Sequence, residues 1–149
     1  MFDTVVVATD GSDSVNRAVD VALDLADRFD ADVHALSVID ASEVDASPEQ
    51  LRKELRTALE TTADAALATV EDRTDAEVTT AVREGRPAAE ICEYARDVDA
   101  DVLATGTRGR HGENRLLLGS VAERIVRRSP VPVLTVRQLD TTDDAVADA

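Results

Sequence analysis

The stretch TVVVATDGSDSVNRAVDVALDLADRFDADVHALSVID, residues 4–40, contains two apolar runs separated by an amphipathic segment. The first run, Thr4 to Asp10, is rich in β-branched residues and ends in Asp-Gly-Ser, which is typical of a strand buried on both faces. Apolar residues then recur at steps of three and four, which predicts a helix with Ser12 or Ser14 as its N-cap. The apolar stripe of that helix consists of Val15, Ala18, Ala22, Leu25 and Phe29. Asp32 to Asp40 predicts a second strand.

The same alternation of strand and helix continues along the rest of the chain. A long helix is predicted from Pro48 to Asp72, and its apolar stripe consists of Leu51, Leu55, Ala58, Leu59, Ala66 and Val70. Three further strands are predicted over 76–85, 101–106 and 131–137, with helices over 86–99 and 120–129. This alternation predicts right-handed crossovers and a mostly parallel five-stranded sheet covered by helices on both faces.

The composition indicates one folded, very acidic domain. Of the 149 residues, 31 are acidic and 16 basic, giving a net charge of −15, and the hydrophobic content of 44% supports one core. Such a charge disfavours binding to nucleic acids and to anionic membranes. Many acids with a single lysine, Lys53, are typical of proteins that work in concentrated salt, where self-repulsion is screened. An ordinary acidic intracellular protein is the alternative.

Other features predict where the chain works and where its domain ends. The first residues have no basic leader, and no apolar segment approaches the length of a membrane span, so we expect a soluble cytoplasmic protein. The single cysteine, Cys92, is expected to be a small core side chain. We predict one domain over residues 1–138 and an acidic, disordered tail over 139–149.

The stretch GTRGRHGENRLLLGS, Gly106 to Ser120, predicts a site for an anion. Four of the chain's six glycines lie between Gly106 and Gly119, where they allow backbone amides to approach a ligand closely. The region from Thr107 to Arg128 contains six arginines and only two glutamates, which reverses the charge of the chain locally. A P-loop is excluded because no Gly-Lys precedes a Ser or Thr, and the first strand is not followed by dinucleotide-type glycine spacing.

The predicted sheet indicates where this site lies. Ligands of open parallel sheets bind beyond the carboxyl ends of the strands, where the strand order reverses. Asp10 and Gly11 follow the first strand, and Gly106 to Gly109 follow the fourth. If these two strands are neighbours, both groups face one crevice. Asp10 could alternatively be only a turn residue, and the glycines only a flexible turn.

At this point the sequence resembles a known family. The spacing of Gly106, Gly109 and the pair Gly119-Ser120, together with the closing run RLLLGSVAERIVRRSPVPVLTVR and the opening VVVATDGSDSVNRAVDVALDLA, is similar to the ATP-binding members of the universal stress protein family. The resemblance covers Phe2 to Arg137. It implies a three-layer sandwich with strand order 3-2-1-4-5, similar to the adenine nucleotide alpha hydrolase fold, that binds ATP, often with Mg²⁺ or Mn²⁺.

The resemblance also implies roles for individual residues. Asp10 would lie near the ribose or the phosphates, and the backbone of Val38 would meet the adenine. Gly106 and Gly109 would approach the ribose and phosphates, while Gly119, Ser120 and Val121 would hold the phosphate tail. The complete predicted ATP site is Thr9, Asp10, Val38, Gly106, Thr107, Arg108, Gly109, Arg110, Gly119, Ser120 and Val121.

Three functions remain open at this stage. The first is a nucleotide-sensing homodimer of the stress response, because the last strand, Val131 to Arg137, would be an apolar edge and the resemblance implies that two copies pair there. The second is a slow metal-dependent ATPase, although no triad, metal-ligand spacing or catalytic lysine indicates an efficient enzyme. The third is a dimeric adaptor that carries ATP as a structural ligand.

His34, on an apolar strand, is expected to be a core side chain with its hydrogen bonds satisfied.

Overall fold

Five parallel strands form one sheet in the order β3-β2-β1-β4-β5 in the computed structural model, which describes residues 2–108 and 118–139. The strands are β1 (Thr4–Ala8), β2 (Asp32–Asp40), β3 (Val78–Gly85), β4 (Val102–Gly106) and β5 (Val133–Val136). The helices are α1 (Asn16–Phe29), α2 (Ala41–Asp45), α3 (Arg52–Asp72), α4 (Pro87–Asp97) and α5 (Ser120–Arg128). The predicted α/β sandwich and its strand order are confirmed.

The sheet separates two cores because successive side chains of a strand point to opposite faces. In β1, Val5 and Val7 pack with α1 and the second half of α3, whereas Val6 and Ala8 pack with α4 and α5. The central strands are therefore apolar on both faces, as the continuous run at the start of the chain predicts. The carboxyl ends of the parallel strands are all brought to the same edge of the sheet.

The beginning of α1 differs from the prediction. A short 3-10 turn, Asp13–Val15, precedes α1, and neither helical segment receives a hydrogen bond from a capping side chain. Ser12 is the N-cap residue of the 3-10 turn, as predicted for the start of the helix, but its hydroxyl donates to Asp10 and does not accept a helix N–H. At the other end of α1, Phe29 is 49% exposed and makes an edge-to-face contact with Phe2, so it is not a core residue.

Only the second half of α3 packs against the sheet. Its buried residues are Ala63, Ala66, Leu67 and Val70, whereas Leu51, just before the helix, and Ala58, in its first half, are exposed. The predicted stripe is wrong for Leu51 and Ala58, because their side chains face solvent instead of the sheet. Helix α2 was not predicted. It begins directly after β2, where the Asp40 carboxylate accepts the Ser42 N–H at 2.9 Å.

Cys92 and His34 were predicted to be core side chains, and the structure places both inside the fold. Cys92 is buried on α4, and burial raises the pKa of its thiol, which keeps the sulfur protonated at neutral pH. His34 on β2 is partly buried, and its Nδ1 lies 2.8 Å from the Tyr94 hydroxyl. Burial also raises the pKa of Tyr94, so the phenol remains neutral in this pair. His34 and Tyr94 are hydrogen-bonded to each other, and neither they nor Cys92 line the pocket described below.

None of the described helices is long and apolar enough to span a membrane. The β5 strand lies at one edge of the sheet, as predicted, and β3 lies at the other. Tail residues 140–149 lie outside the described part of the chain, and so the prediction for the tail remains a prediction.

Candidate functional site

A pocket of about 360 Å³ opens at the carboxyl ends of β1, β2 and β4. Strands β2 and β3 lie on one side of β1, and β4 and β5 lie on the other. The pocket is therefore at the point at which the strand order reverses. The lining residues are Ala8, Thr9, Asp10, Val15, Leu36, Ser37, Val38, Ile39, Asp40, Glu43, Leu59, Ala63, Pro87, Ile91, Thr105, Gly106, Arg108, Gly119, Ser120, Val121 and Ala122. Its size falls within the range of small-molecule sites.

The loop after β1 forms one wall of the pocket. Thr9 is buried, and its N–H donates to the Leu36 carbonyl at 2.9 Å, which ties this loop to β2. The Asp10 carboxylate accepts both the N–H of Ser12 at 2.9 Å and its hydroxyl at 2.5 Å. Gly11 has a φ of +78°, a conformation that favours glycine. Asp10 is therefore both a turn residue and a part of the pocket lining.

Serine hydroxyls connect this loop to the segment after β4. The Ser12 hydroxyl lies 2.8 Å from that of Ser14, which in turn donates to the Arg108 carbonyl at 3.5 Å. A Cβ on Gly106 would lie 3.1 Å from the Ser14 carbonyl oxygen, so the glycine permits close approach of the two segments. The glycine spacing predicts ligand contact at Gly106 but not this packing role.

The start of α5 forms the opposite end of the pocket. Gly119 is the N-cap residue of α5, and its N–H donates to the Thr107 carbonyl at 2.6 Å, which fixes the helix start beside the segment after β4. No described side chain caps the helix. The N–H groups of Ser120, Val121 and Ala122 lie in the first turn, where an α-helix leaves its amides without intrahelical partners. This helix end offers amide donors and a partial positive charge to the pocket.

Two buried polar atoms next to α5 have no hydrogen-bond partner within the described parts of the chain. They are Oγ1 of Thr107 and Nε of Arg108. Buried donors without partners are costly, and in native proteins they usually have a partner such as a ligand or water. Arg108 and the first turn of α5 line the same end of the pocket, which suits an anionic group.

The end of the pocket beside β2 has a different chemistry. Its lining is mainly apolar and comes from β2, α3 and α4: Leu36, Val38, Ile39, Leu59, Ala63, Pro87 and Ile91. Two carboxylates, Asp40 and Glu43, lie beyond this apolar surface at the end of β2 and in α2. This end suits a flat, mostly apolar group that carries hydrogen-bond donors.

Most of the predicted site residues line this one pocket. They are Thr9, Asp10, Val38, Gly106, Arg108, Gly119, Ser120 and Val121. Thr107 lies between two lining residues and has the unsatisfied hydroxyl, whereas Gly109 and Arg110 are outside the described residues. The remaining arginines of the described region, Arg124, Arg127 and Arg128, are exposed on α5, and Arg127 pairs with Glu123 at 2.9 Å.

Several lining residues were missed by the sequence analysis. Leu59 was predicted only as a core residue of the long helix, and the apolar residues of α4 were treated in the same way. Asp40 and Glu43 were not singled out, although Asp40 directly follows an apolar strand run, as Asp10 does. That position, at the carboxyl end of a parallel strand, is a signal that could have identified Asp40.

A divalent metal has no protein cage in this region. Across residues 2–108 and 118–139, no group of three His, Cys, Asp or Glu side chains is arranged to hold a metal ion. The unsatisfied Arg108 Nε and the α5 amides suit phosphate oxygens, which can themselves coordinate Mg²⁺ or Mn²⁺.

The strand order and the pocket at its reversal define a doubly wound α/β protein with a small-molecule site. A model of the universal stress protein family matches residues 1–137. The chain belongs to the universal stress protein family, whose members are stress-response proteins.

Individual relatives agree with this assignment. The universal stress protein MJ0531 of Methanocaldococcus jannaschii is 37% identical over 142 residues, which cover 93% of this chain and 84% of that protein. UspA of Lactobacillus plantarum has a similar solved structure, with a TM-score of 0.77 and 26% identity over 91% of this chain and 98% of the other. A universal stress protein solved in complex with cAMP has a TM-score of 0.68 and 28% identity over 93% and 98% of the two chains.

Proposed function

We propose that this chain is an ATP-binding universal stress protein that works as a nucleotide-sensing homodimer. The observation that carries the proposal is the two-ended pocket, whose lining is mainly apolar beside β2 and contains Arg108 and the start of α5 at the other end. Neighbouring strands lie roughly 4.8 Å apart, so the ends of β2 and β4 are separated by about 10 Å across β1. A nucleotide bridges such a span with its base at one end and its phosphates at the other. The relative solved with cAMP supports an adenine nucleotide as the ligand.

The dimer part of the proposal rests on the sheet edge. The β5 strand pairs with β4 on one side only, and the residues Val133, Leu134 and Thr135 are partly exposed. An unpaired strand edge with apolar side chains favours pairing with a second strand, and two identical chains would form a symmetric contact. Light scattering of the purified protein should give twice the chain mass of 15.9 kDa.

The direct test is to identify the nucleotide that the protein carries. The protein is purified in high-KCl buffer and denatured, and the released material is separated by chromatography. Bound ATP near one equivalent per chain, or a binding heat with Mg-ATP in titration calorimetry, supports the proposal. A protein that is empty and gives no binding heat contradicts it.

Replacing Arg108 with glutamine should weaken ATP binding by about 10- to 100-fold, because one charge-assisted hydrogen bond to a phosphate is worth roughly 1.5–3 kcal/mol. Arg108 lines the pocket together with the start of α5, and its Nε has no hydrogen-bond partner within the described residues. Titration calorimetry with Mg-ATP measures the change. The control is Arg124→Gln, which removes an exposed arginine of α5 that does not line the pocket. Equal affinities for the two variants would show that Arg108 does not contact the ligand.

We also propose that the protein works in concentrated salt, and its stability should therefore rise with KCl. The net charge is −15, and acids also lie close together on the surface, as Glu60 and Asp64 do one turn apart on the exposed face of α3. Screening of this repulsion should raise the melting temperature by at least about 3 °C between 0.1 M and 2 M KCl, equivalent to roughly 1 kcal/mol.

Thermal unfolding followed by circular dichroism measures this shift. The matched variant is Asp64→Asn, which removes one member of the like-charge pair and should melt at a higher temperature than the wild type at 0.1 M KCl. The difference between the two proteins should shrink at 2 M KCl. A melting temperature that does not change with KCl would contradict the proposal.

A further inference from the structure

The charges of the pocket are distributed unevenly. Its described charged lining residues are Asp10, Asp40, Glu43 and Arg108. Arg108 lies beside α5, whereas Asp40 and Glu43 lie at the opposite end, where the lining is otherwise apolar. Two carboxylates at the end farthest from the predicted phosphates do not contribute to phosphate binding. Asp40 is the N-cap residue of α2, and its place in the lining also allows it to contact a base if the pocket holds a nucleotide.

Asp40 is the last residue of β2, and the structure fixes its position. Alternation along the strand places Asp40 on the same face as Val38, about 7 Å further along β2. Its neighbour on β3 is Gly85, and the side chain of Glu90, which lies 3.9 Å from Arg83, fills the space that a Cβ on this glycine would take. On the pocket side, the lining contains Val38 and, beyond it, the Asp40 carboxylate.

Local hydrogen bonds orient this carboxylate and leave one of its two oxygens able to accept a hydrogen bond. The N–H of Ser42 donates to Oδ1 of Asp40 at 2.9 Å, and the Ser42 hydroxyl donates to the same oxygen at 2.6 Å. These bonds cap α2 and orient the side chain. A carboxylate has about four acceptor sites on its two oxygens, so Oδ2 retains the capacity to accept a hydrogen bond from a ligand.

An ionised carboxylate accepts hydrogen bonds and donates none. The exocyclic amino group of adenine would be a suitable donor to Asp40. Hypoxanthine has a keto oxygen in place of that amino group, so its lone pairs would face those of the carboxylate. In a partly enclosed pocket, an unpaired polar group is more costly than in water, which increases the difference between the two bases.

We propose that Asp40, with Glu43 beside it, selects the base of the bound nucleotide and favours the 6-amino purine adenine over the 6-keto purine hypoxanthine. This inference rests on the proposed function, because it assigns the apolar end of the same pocket to the base. Asp40 is the specificity-determining residue in this proposal.

The test compares ATP with inosine 5′-triphosphate, in which a keto oxygen replaces the 6-amino group of the base and N1 carries a hydrogen. Titration calorimetry of the wild type should show an affinity for ATP at least about tenfold higher than for inosine triphosphate. In Asp40→Asn the preference should fall by about tenfold or more, because an amide can donate to a keto oxygen as well as accept from an amino group. Asparagine is as good an N-cap as aspartate, so α2 should persist.

The control is Asp45→Asn, which removes an exposed carboxylate from the same short helix without changing the pocket lining. It should keep the preference of the wild type. Equal binding of the two nucleotides by the wild type, or an undiminished preference in Asp40→Asn, would overturn the assignment of Asp40 while leaving the proposed function intact. Failure of both nucleotides to bind the wild type would instead contradict the proposed function, and the base selectivity with it.

Discussion

Replacing Gly119 with valine is expected to abolish ATP binding while the protein remains folded. Gly119 lies in the pocket lining at the N-cap of α5, immediately before the amides of Ser120, Val121 and Ala122. A branched side chain at this point would occupy space that the phosphates need in order to reach those amides. Loss of two or more charge-assisted hydrogen bonds lowers the affinity by at least about 100-fold.

The backbone at Gly119 explains why the fold should survive this change. Its φ of −66° and ψ of 159° are extended values that valine adopts readily, and its N–H to the Thr107 carbonyl is retained in the variant. Glycine supplies no capping side chain here, so the cost to α5 is limited to about 1 kcal/mol. Circular dichroism and urea unfolding would verify that the variant is folded.

The matched variant for this experiment is Gly119→Ala. A single methyl group should reduce ATP affinity less than the isopropyl group of valine does, so the affinities should follow the size of the side chain. If Gly119→Val binds ATP as tightly as the wild type in titration calorimetry, the start of α5 does not hold the phosphates. The site assignment at that end of the pocket would then be wrong.

The sequence predicts the fold well because its apolar patterns reflect which side chains are buried. Strands β1 and β4 are apolar on both faces, and no other position in a parallel sheet suits such runs. The first half of α3 has the same three- and four-residue apolar spacing as a packed helix. Burial also depends on whether another element covers that side of the chain, which apolar spacing does not reveal. Leu51, just before α3, is 48% exposed although it belongs to the predicted stripe.

The candidate site is only partly visible in the sequence for a related reason. Glycines and arginines between 106 and 120 indicate an anion, because their chemistry differs from that of the core. The opposite end of the pocket uses apolar side chains, such as Leu59 and Ile91, that look like any other core residues. The role of Ser14, which contacts the Arg108 carbonyl, depends on a contact between segments 94 residues apart. Spacing within one segment cannot show such a contact.

The pocket and the proposed dimer edge are separated by a single strand. Gly106, at the pocket, is paired in register with Val136 of β5, and Arg17 of α1 donates to the Arg137 carbonyl at 2.9 Å just after β5. A nucleotide held by the segment after β4 is therefore one strand away from the surface that we propose a second copy covers. This arrangement favours nucleotide sensing through the dimer over an adaptor role that ignores the ligand, and unchanged partner binding by Gly119→Val would argue against it.

The second large effect is expected in the core that supports this strand. Leu103 of β4 is fully buried in the cluster beneath α4 and α5, where its neighbours in the sheet are Val6 and Val133. Leu103→Ala should lower the free energy of unfolding by about 2–5 kcal/mol, since it loses buried area and leaves a cavity. Domains of this kind are stabilised by only about 5–15 kcal/mol, so the change removes a large part of the stability.

Urea unfolding in 2 M KCl measures this loss, and Leu51→Ala is the matched control because the same side chain is removed from an exposed position. The control should change the free energy of unfolding by no more than about 0.5 kcal/mol. The contrast isolates burial from the chemistry of leucine itself, and it tests the position of β4, on which the placement of Gly106 and Arg108 depends. A Leu103→Ala protein as stable as Leu51→Ala would mean that β4 is not packed beneath α4 and α5, and the pocket geometry derived from it would be wrong.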